Sequence, residues 1–224
     1  TYFSDCSAKI SGWSCKSGYT KSGNSCVIET EPCNVGSIYY ADGTCLSAEN
    51  HNADRTVLGI VVYMNPNGVG GQIIAPWPID KYGNKSSSEA SRVYWSLGYI
   101  DILDIPNYTD SISASQDYDS CGNTDKIVAQ CDARYCEAAW AVRKYYVTDE
   151  TYGKWCLPAA GILENIYNNQ DAIQTAIAKV GGVEYSGNWS SSESNYSWVW
   201  YSDSYGLQSI YKNTSGDVYP VLEF

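Results

Sequence analysis

The sequence is short of the groups that most enzyme chemistry needs. It has one histidine, His51, set in the polar run Glu49-Asn50-His51-Asn52-Ala53-Asp54. One imidazole in such a run cannot serve a Ser or Cys triad, which also needs an orienting carboxylate nearby. No CxxC pair exists, so the tight ligand spacing of a zinc site is missing as well. The chain is therefore read as non-enzymatic, with no catalytic residue, metal or cofactor. No run of about 18 apolar residues occurs, so no helix is expected to insert in a bilayer. Cations are scarce, 14 Lys and Arg against 25 Asp and Glu, for a net charge of −11. Such a chain repels phosphate backbones and anionic membranes, which argues against nucleic acid as a partner. An initiating Met and a signal peptide are also missing. A chain that opens at Thr1 and reaches Cys6 at once is expected of a mature or trimmed ectodomain, with any pilus or envelope anchor upstream.

Phenylalanine is nearly absent, at two residues, whereas Tyr numbers 21 and Trp 8. Aromatics that carry a polar atom suit half-exposed positions better than a dry core, which points to a binding surface. The 9 cysteines fall into two groups, Cys6, Cys15, Cys26, Cys33 and Cys45, then Cys121, Cys131, Cys136 and Cys156. Disulfides in an oxidising compartment are the reading, with the protein secreted or displayed at a cell surface. The odd count leaves Cys6 free or paired with a segment before Thr1.

Residues 1–50 read as a small disulfide-stapled module with a weak repeat. Cys15-Lys-Ser-Gly and Cys33-Asn-Val-Gly each open a stretch that closes on a Gly shortly before a Cys, Gly23-Asn24-Ser25-Cys26 and Gly43-Thr44-Cys45. Each looks like a hairpin with its Gly turn between the cysteines, so Cys15–Cys26 and Cys33–Cys45 are the expected bridges. So few apolar residues cannot form a core, and crosslinks must substitute for one. A linker is expected from 46 to 55, then the remainder, 51–224, as the ligand-binding domain. Val57-Leu58-Gly59-Ile60-Val61-Val62-Tyr63 is the clearest buried strand, and the Asn65-Pro66-Asn67-Gly68 turn returns it to Gly71–Ala75. Residues 76–120 show no sustained period and read as ordered but irregular.

A helix is expected from Asn123 to about Tyr146, capped by Thr124, with Ile127, Val128, Cys131, Ala138, Ala139 and Val142 at helical spacing. On one continuous helix Cys131 and Cys136 cannot bond each other, so Cys121–Cys131 and Cys136–Cys156 are preferred. Trp155-Cys156-Leu157-Pro158-Ala159-Ala160 reads as a strand entering a helix with Pro158 at its first position. Another helix, Asp171–Val180, stops at Gly181-Gly182 as a left-handed cap would.

The last forty residues, about 185–224, differ from everything before them. Twenty-five of them are Tyr, Ser, Gly, Asn or Trp and five carry a charge. Tyr and Trp supply rigid contact area at low entropy cost, and Ser, Gly and Asn supply adaptable hydrogen bonds, as in antibody paratopes. Trp189-Ser190-Ser191-Ser192-Glu193 opens this segment and Pro220-Val221-Leu222-Glu223-Phe224 closes it.

A strand hairpin, a helix, W-x-L-P-A, Gly-Gly, W-S-S-S-E, W-x(n)-G and P-V-L-x-F in that order resemble the C-type-lectin-fold variable proteins of diversity-generating retroelements, over about residues 54–224. The resemblance implies an α+β fold, with two or three helices and a small antiparallel sheet. It also implies that error-prone copying at adenines varies chosen C-terminal positions displayed on one exposed face. Trp189, Ser190, Ser191, Ser192, Glu193, Trp200, Gly206, Lys212, Pro220, Val221, Leu222 and Phe224 fall on fixed scaffold positions. An adenine-randomised Asn codon yields Tyr, Ser, Asp, Gly, Ile, Leu, Thr or Asn, and not Trp, Lys, Gln, Glu or Met. The candidate ligand-binding positions are then Tyr196, Tyr201, Ser202, Asp203, Ser204, Tyr205, Leu207, Ser209, Ile210, Tyr211, Asn213, Thr214, Ser215, Gly216 and Asp217. Gln208 is fixed, and Trp198 is ambiguous. Tyr219, Glu223 and Val199 depart from the family's usual Arg, small residue and Ala. Cys121, Cys131 and Cys156 look like additions.

The function so implied is adhesin-like binding of varied protein or cell-surface macromolecules. The partner is taken to be macromolecular because the positions spread over a face and do not converge on a pocket. Two other classes stand beside it: a fixed-specificity glycan lectin or adhesin, and a structural pilus or envelope subunit. Asp101, Asp104, Asp110, Asp117 and Asp119 offer oxygen ligands for a calcium-dependent lectin, but EF-hand spacing and the Glu-Pro-Asn and Trp-Asn-Asp sugar motifs are absent. The same fold hosts formylglycine-generating enzymes, which use a reactive cysteine pair. Here crosslinks account for the cysteines.

Overall fold

The computed structural model describes residues 13–16, 18–87 and 92–224, so Cys6 lies outside the described residues. Along the chain run β1 (Tyr19–Ser22), β2 (Ser25–Ile28), β3 (Ile38–Tyr40), β4 (Cys45–Leu46), β5 (Val57–Met64), β6 (Gly71–Ile74) and β7 (Val93–Tyr94). Helices α1 (Ser111–Ala114), α2 (Ser120–Gln130), α3 (Glu137–Lys144), α4 (Ala160–Asn168) and α5 (Gln170–Lys179) follow. The chain closes with β8 (Gly187–Glu193), β9 (Trp198–Asp203), β10 (Gly206–Tyr211), β11 (Ser215–Gly216) and β12 (Val221–Glu223). The fold is α+β, with helices packed on small antiparallel sheets.

The main sheet has the order β12-β6-β5-β3-β4. Its centre is the apolar run read from the sequence, and the reason it is apolar throughout is that both faces are covered. Val61 and Ile73 pack with Ile127, Trp95, Trp155 and Trp189, while Ile60, Val62 and Ile74 pack with Ile162, Leu163, Ile166 and Ile173 of the α4–α5 pair. A strand buried on two sides loses polar alternation, because successive side chains point to opposite faces. The C-terminal strand β12 pairs with β6, Leu222 opposite Ile73. The second sheet, β10-β9-β8, carries the Tyr- and Ser-rich segment.

The boundary expected near residue 50 moves. Strand β3 pairs with β5, Ile38 opposite Ile60, and β4 pairs with β3, so residues 38–46 belong to the main sheet. Its Ile38, Tyr40 and Leu46 side chains are fully buried there. The expected linker is packed as well. The Tyr40 hydroxyl meets His51 Nδ1 at 2.9 Å and accepts from the Asn52 amide at 3.0 Å. Among the described residues before the main sheet, the β1–β2 hairpin stays outside the core, exposed along both strands.

Among the described residues, four disulfides link Cys15–Cys26, Cys33–Cys45, Cys121–Cys156 and Cys131–Cys136. The last two replace the expected Cys121–Cys131 and Cys136–Cys156. The cause is a break in the long helix expected over 123–146. Cys131 is extended (φ −129°, ψ 124°) and ends α2, and Cys136 precedes α3. Between them Asp132 O accepts from the Tyr135 and Cys136 amides, and the turn brings the two Cα atoms to 5.8 Å, within bridging range. Helix α2 also begins earlier than expected. Asp119, not Thr124, caps it by accepting from the Gly122 amide at 2.9 Å.

Helix α4 starts two residues after Pro158, and its own N-cap residue, Ala159, offers no side-chain acceptor. Its orphan amides are met from elsewhere in the chain. Ser120 Oγ accepts from Ala159 N, Ser192 Oγ from Ala160 N, both at 2.8 Å, and Asp117 O from Gly161 N at 2.7 Å. Ser192 Oγ in turn donates to Asp117 Oδ2 at 2.7 Å, which also accepts from Asn123 Nδ2 at 2.8 Å. Every helix leaves its first amides unpaired, and here the W-S-S-S-E strand and an acidic loop pair them.

Candidate ligand-binding face

Strands β9 and β10 form a hairpin in strict register, from Trp198 opposite Tyr211 to Asp203 opposite Gly206. Ser204 and Tyr205 make the turn, with the Tyr205 amide donating to Asp203 Oδ1 at 2.8 Å. The left-handed residue is Gly206 (φ 95°), and neither Ser204 nor Tyr205 takes a positive φ. The Tyr205 side chain stands at the tip of the hairpin, 90% exposed.

The frame under the hairpin is stiff. Trp189 is fully buried, donates through Nε1 to Val93 O at 2.8 Å and meets the Tyr201 ring edge-on at 5.2 Å. Trp200 donates to Tyr108 O at 3.2 Å and packs on Ala114 and Ala160. Glu193 and Lys212 form an ion pair with no solvent exposure on either side chain. Lys212 Nζ also donates to Ile100 O and lies 4.8 Å from the Trp95 ring centre. Glu193 Oε2 accepts from Ile102 N at 3.1 Å, and Glu193 O from Tyr108 N at 3.0 Å. Burial pushes the Glu193 carboxyl up to about 7 and pulls the Lys212 ammonium down, and each charge opposes the shift of the other. The pair thus pins the irregular 95–108 loop to strand β8 and to the residue that follows β10.

That pinned loop contributes Tyr99 to the face. Its ring stands 6.1 Å from Tyr196 and 6.4 Å from Tyr211, and Tyr211 lies 4.0 Å from Trp198. The four rings form one surface patch, with Tyr99 43%, Tyr196 57% and Tyr211 46% exposed. Tyr99 and Trp198 are absent from the candidate positions. Composition gave no reason to join Tyr99, about a hundred residues away in sequence, to the C-terminal segment, and codon reasoning left Trp198 undecided.

The other candidate positions divide. Ser204, Tyr205 and Asn213 are exposed with Tyr196 and Tyr211, while Asp203, Leu207, Ser209, Thr214, Ser215 and Asp217 are half-buried. Tyr201 is held on Trp189, and burial pushes its phenol up to about 12. Ile210 packs against the core that holds Trp95 and Trp189. Gly216 and Ser202 are buried. A Cβ on Gly216 would sit 2.9 Å from the Trp189 ring, so this residue is a packing position and offers no contact surface. The expectation that no candidate converges on a pocket also needs correcting, since Ser202, Asp203 and Ser204 line a cleft of about 520 Å³ against α4 and α5.

The acidic residues of the irregular region are spread over structural tasks. Asp110 caps α1, Asp119 caps α2, Asp117 serves the α4 network and Asp101 accepts from Asn107. No group of three His, Cys, Asp or Glu close enough to hold a metal ion occurs among the described residues, and no helix among them is long and apolar enough to cross a membrane.

The fold has a solved relative. A fimbrial protein from Bacteroides ovatus superposes with a TM-score of 0.57 at 15% identity over 85% of this chain. The chain spans about half that protein's length, 49%. At this identity the likeness concerns the fold alone. No family model and no curated protein matches the sequence.

Proposed function

We propose that this chain is a non-enzymatic, adhesin-like binding protein of a cell surface, and that the Tyr99, Tyr196, Trp198 and Tyr211 patch with the Tyr205 tip contacts a macromolecular partner. The observation that carries the reading is four clustered, solvent-facing aromatic rings on a hairpin whose base is fixed by Trp189, Trp200 and the Glu193–Lys212 pair. Aromatic anchors that lose little entropy on binding dominate interface energies, and a rigid frame supplies that condition in advance. Four disulfides favour an oxidising setting, secreted or surface-displayed.

The retroelement reading adds that residues between the frame positions vary among copies of the gene. It rests on the order of the motifs, and it is tested at the locus. A near-identical template repeat differing only at adenines establishes it, and a locus without one ends it. The fimbrial protein of similar fold favours a second reading, a pilus or envelope subunit in which the same patch packs against a neighbouring subunit.

One experiment separates the readings. The purified chain is immobilised and tested on cell-surface extracts and on itself, as wild type and as Tyr196→Ala/Tyr205→Ala/Tyr211→Ala. Loss of captured partner in the triple variant, with unchanged melting, supports a binding face. Loss of self-association points to the subunit reading. Retention of both shows that the patch is not the interface. Competition by free sugars or a chelator would move the assignment to a glycan lectin.

A further inference from the structure

We infer that the open edge of β10 takes up an extended, cationic segment of a partner protein as an added β-strand. The inference rests on the reading of the β9–β10 hairpin as the binding face, and it names what that face receives.

The deciding observation is an exception among sheet edges. The two larger sheets end at β12 and β4, and at β8 and β10. Cys156 exchanges both backbone bonds with Val221 of β12, at 2.8 and 2.9 Å. The Glu31 amide donates to Cys45 O of β4 at 2.9 Å. Strand β8 loses register with β9 between Trp189 and Glu193, and its Trp189 and Ser191 amides reach Asp217 O and Pro158 O. Of these four edges, β10 alone lacks such a cover among the described residues.

The hairpin register says which groups are open. Lys212 N donates to Ser197 O at 3.1 Å, and counting back by twos puts Ile210, Gln208 and Gly206 in bonded pairs with Val199, Tyr201 and Asp203. Leu207, Ser209 and Tyr211 therefore turn their backbone groups away from β9. The Tyr211 carbonyl accepts from the Thr214 amide at 3.0 Å. The Leu207 and Ser209 amides and carbonyls, and the Tyr211 amide, bond to no described residue. They repeat at about 7 Å, two residues of strand, which is the spacing a second extended backbone matches. Proteins guard such an edge with a charge, a proline or a bulge. Strand β10 reads Gly-Leu-Gln-Ser-Ile-Tyr, keeps register with β9 throughout and has none of these.

Charge and the aromatic rings choose the segment. A second copy would bring one net charge of −11 against another, so a cationic strand is favoured over self-pairing. A residue set opposite Tyr211 shares its face of the sheet, because cross-strand neighbours point the same way. The Tyr211 ring centre lies 6.4 Å from that of Tyr99 and 4.0 Å from that of Trp198. An Arg or Lys at the opposite position would lie against these rings, whose faces attract a cation. Backbone bonds along β10 would hold the segment, and the patch would read its alternate side chains.

The test uses the intact chain, protein-observed NMR and a synthetic peptide of alternating Thr and Arg, 6 residues long to match β10. A Kd on the order of 1 mM, weakening as salt is raised, is expected. Bound peptide should slow amide exchange at Leu207, Ser209 and Tyr211 and leave Gln208 and Ile210, already bonded to β9, unchanged. The same peptide N-methylated at every residue keeps its charge, lacks all backbone donors and should bind about tenfold more weakly. So should the parent peptide to Ser209→Pro, a change that removes an amide the hairpin itself does not use. Equal binding of the methylated peptide, with shifts at Tyr99 and Tyr211, keeps the aromatic face and overturns strand addition. No shift at about 10 mM peptide, or equal binding of a Thr-Glu peptide, also overturns the inference. So does protection of the β10 amides that rises with protein concentration alone, which would assign the edge to a second copy. The face itself is judged separately, by partner capture with Tyr196→Ala/Tyr205→Ala/Tyr211→Ala.

Discussion

Strands β1 and β2 expose all their residues to solvent and are closed by Cys15–Cys26, whereas β9 carries buried Trp200 and Ser202, buried Lys212 directly follows β10, and neither strand contains cysteine. Both are antiparallel hairpins with short Gly-containing turns. The first is kept by a covalent link because it has nothing to pack on, and the second by burial on one side. The difference explains where sequence freedom lies. In the first hairpin the cysteines are constrained and the other side chains are not. In the second the constrained residues are the ones that face inward, and Tyr205, Tyr211 and Ser204 are left available for contact.

Breaking that contrast should show most at Lys212. Lys212→Ala leaves the Glu193 carboxylate buried without its partner, and a loss of about 3–5 kcal/mol is expected from urea denaturation. Lys212→Met combined with Glu193→Gln should recover much of it. Next comes Cys121–Cys156. Replacing both residues by Ala removes a link across 35 residues, with an expected cost near 4 kcal/mol from loop closure. Removing Cys131–Cys136, which spans 5 residues, should cost about half as much. If the two losses are equal, local strain and not loop length governs these bridges.

The acid response of Glu193 sharpens the comparison further. Its folded-state value, about 7, lies above the ordinary 4.5, so the folded protein keeps this proton longer than the unfolded chain does. The stability it contributes is complete below about pH 4.5 and is lost as pH rises through about 7. Glu193→Gln should therefore flatten the fall of melting temperature between those limits, as thermal scans at several pH values would show. An unchanged slope would mean that another group carries it. The smallest effect belongs to the first hairpin. Replacing Cys15 and Cys26 by Ala should speed amide exchange in residues 19–28 and leave global melting nearly unchanged, because few core contacts depend on it.

The parts legible in the sequence are those governed by local pattern. The apolar run of β5, the Asn65–Gly68 turn and the Gly181 stop of α5 were read from neighbours within a few positions. The break at Cys131 was not, because Ile127, Val128 and Ala138 keep helical spacing across it and periodicity is blind to a turn of four residues. The start of α4 was misplaced for a related reason. Its caps, Ser120 and Ser192, lie 39 and 32 positions from the amides they meet. The proposed face was read in composition but not in outline. Tyr99 enters it only because Lys212 and Glu193 hold the 95–108 loop, a pairing of partners 112 and 91 positions apart from that loop's backbone.

The borrowed caps of α4 also set an order of events in folding. A helix of nine residues with no cap of its own is marginal in water. It becomes stable only when Ser192 arrives from β8, and Ser192 is aligned by Asp117, 75 residues earlier. The scaffold therefore closes late, through contacts of long sequence separation, and such topologies fold slowly. A chain cut before residue 190 should keep its disulfide-linked N-terminal half compact and lose α4. In this protein the strand that frames the β9–β10 hairpin is also the latch that completes the fold, so damage within Ser190–Glu193 should cost helix α4 as well as the hairpin's footing.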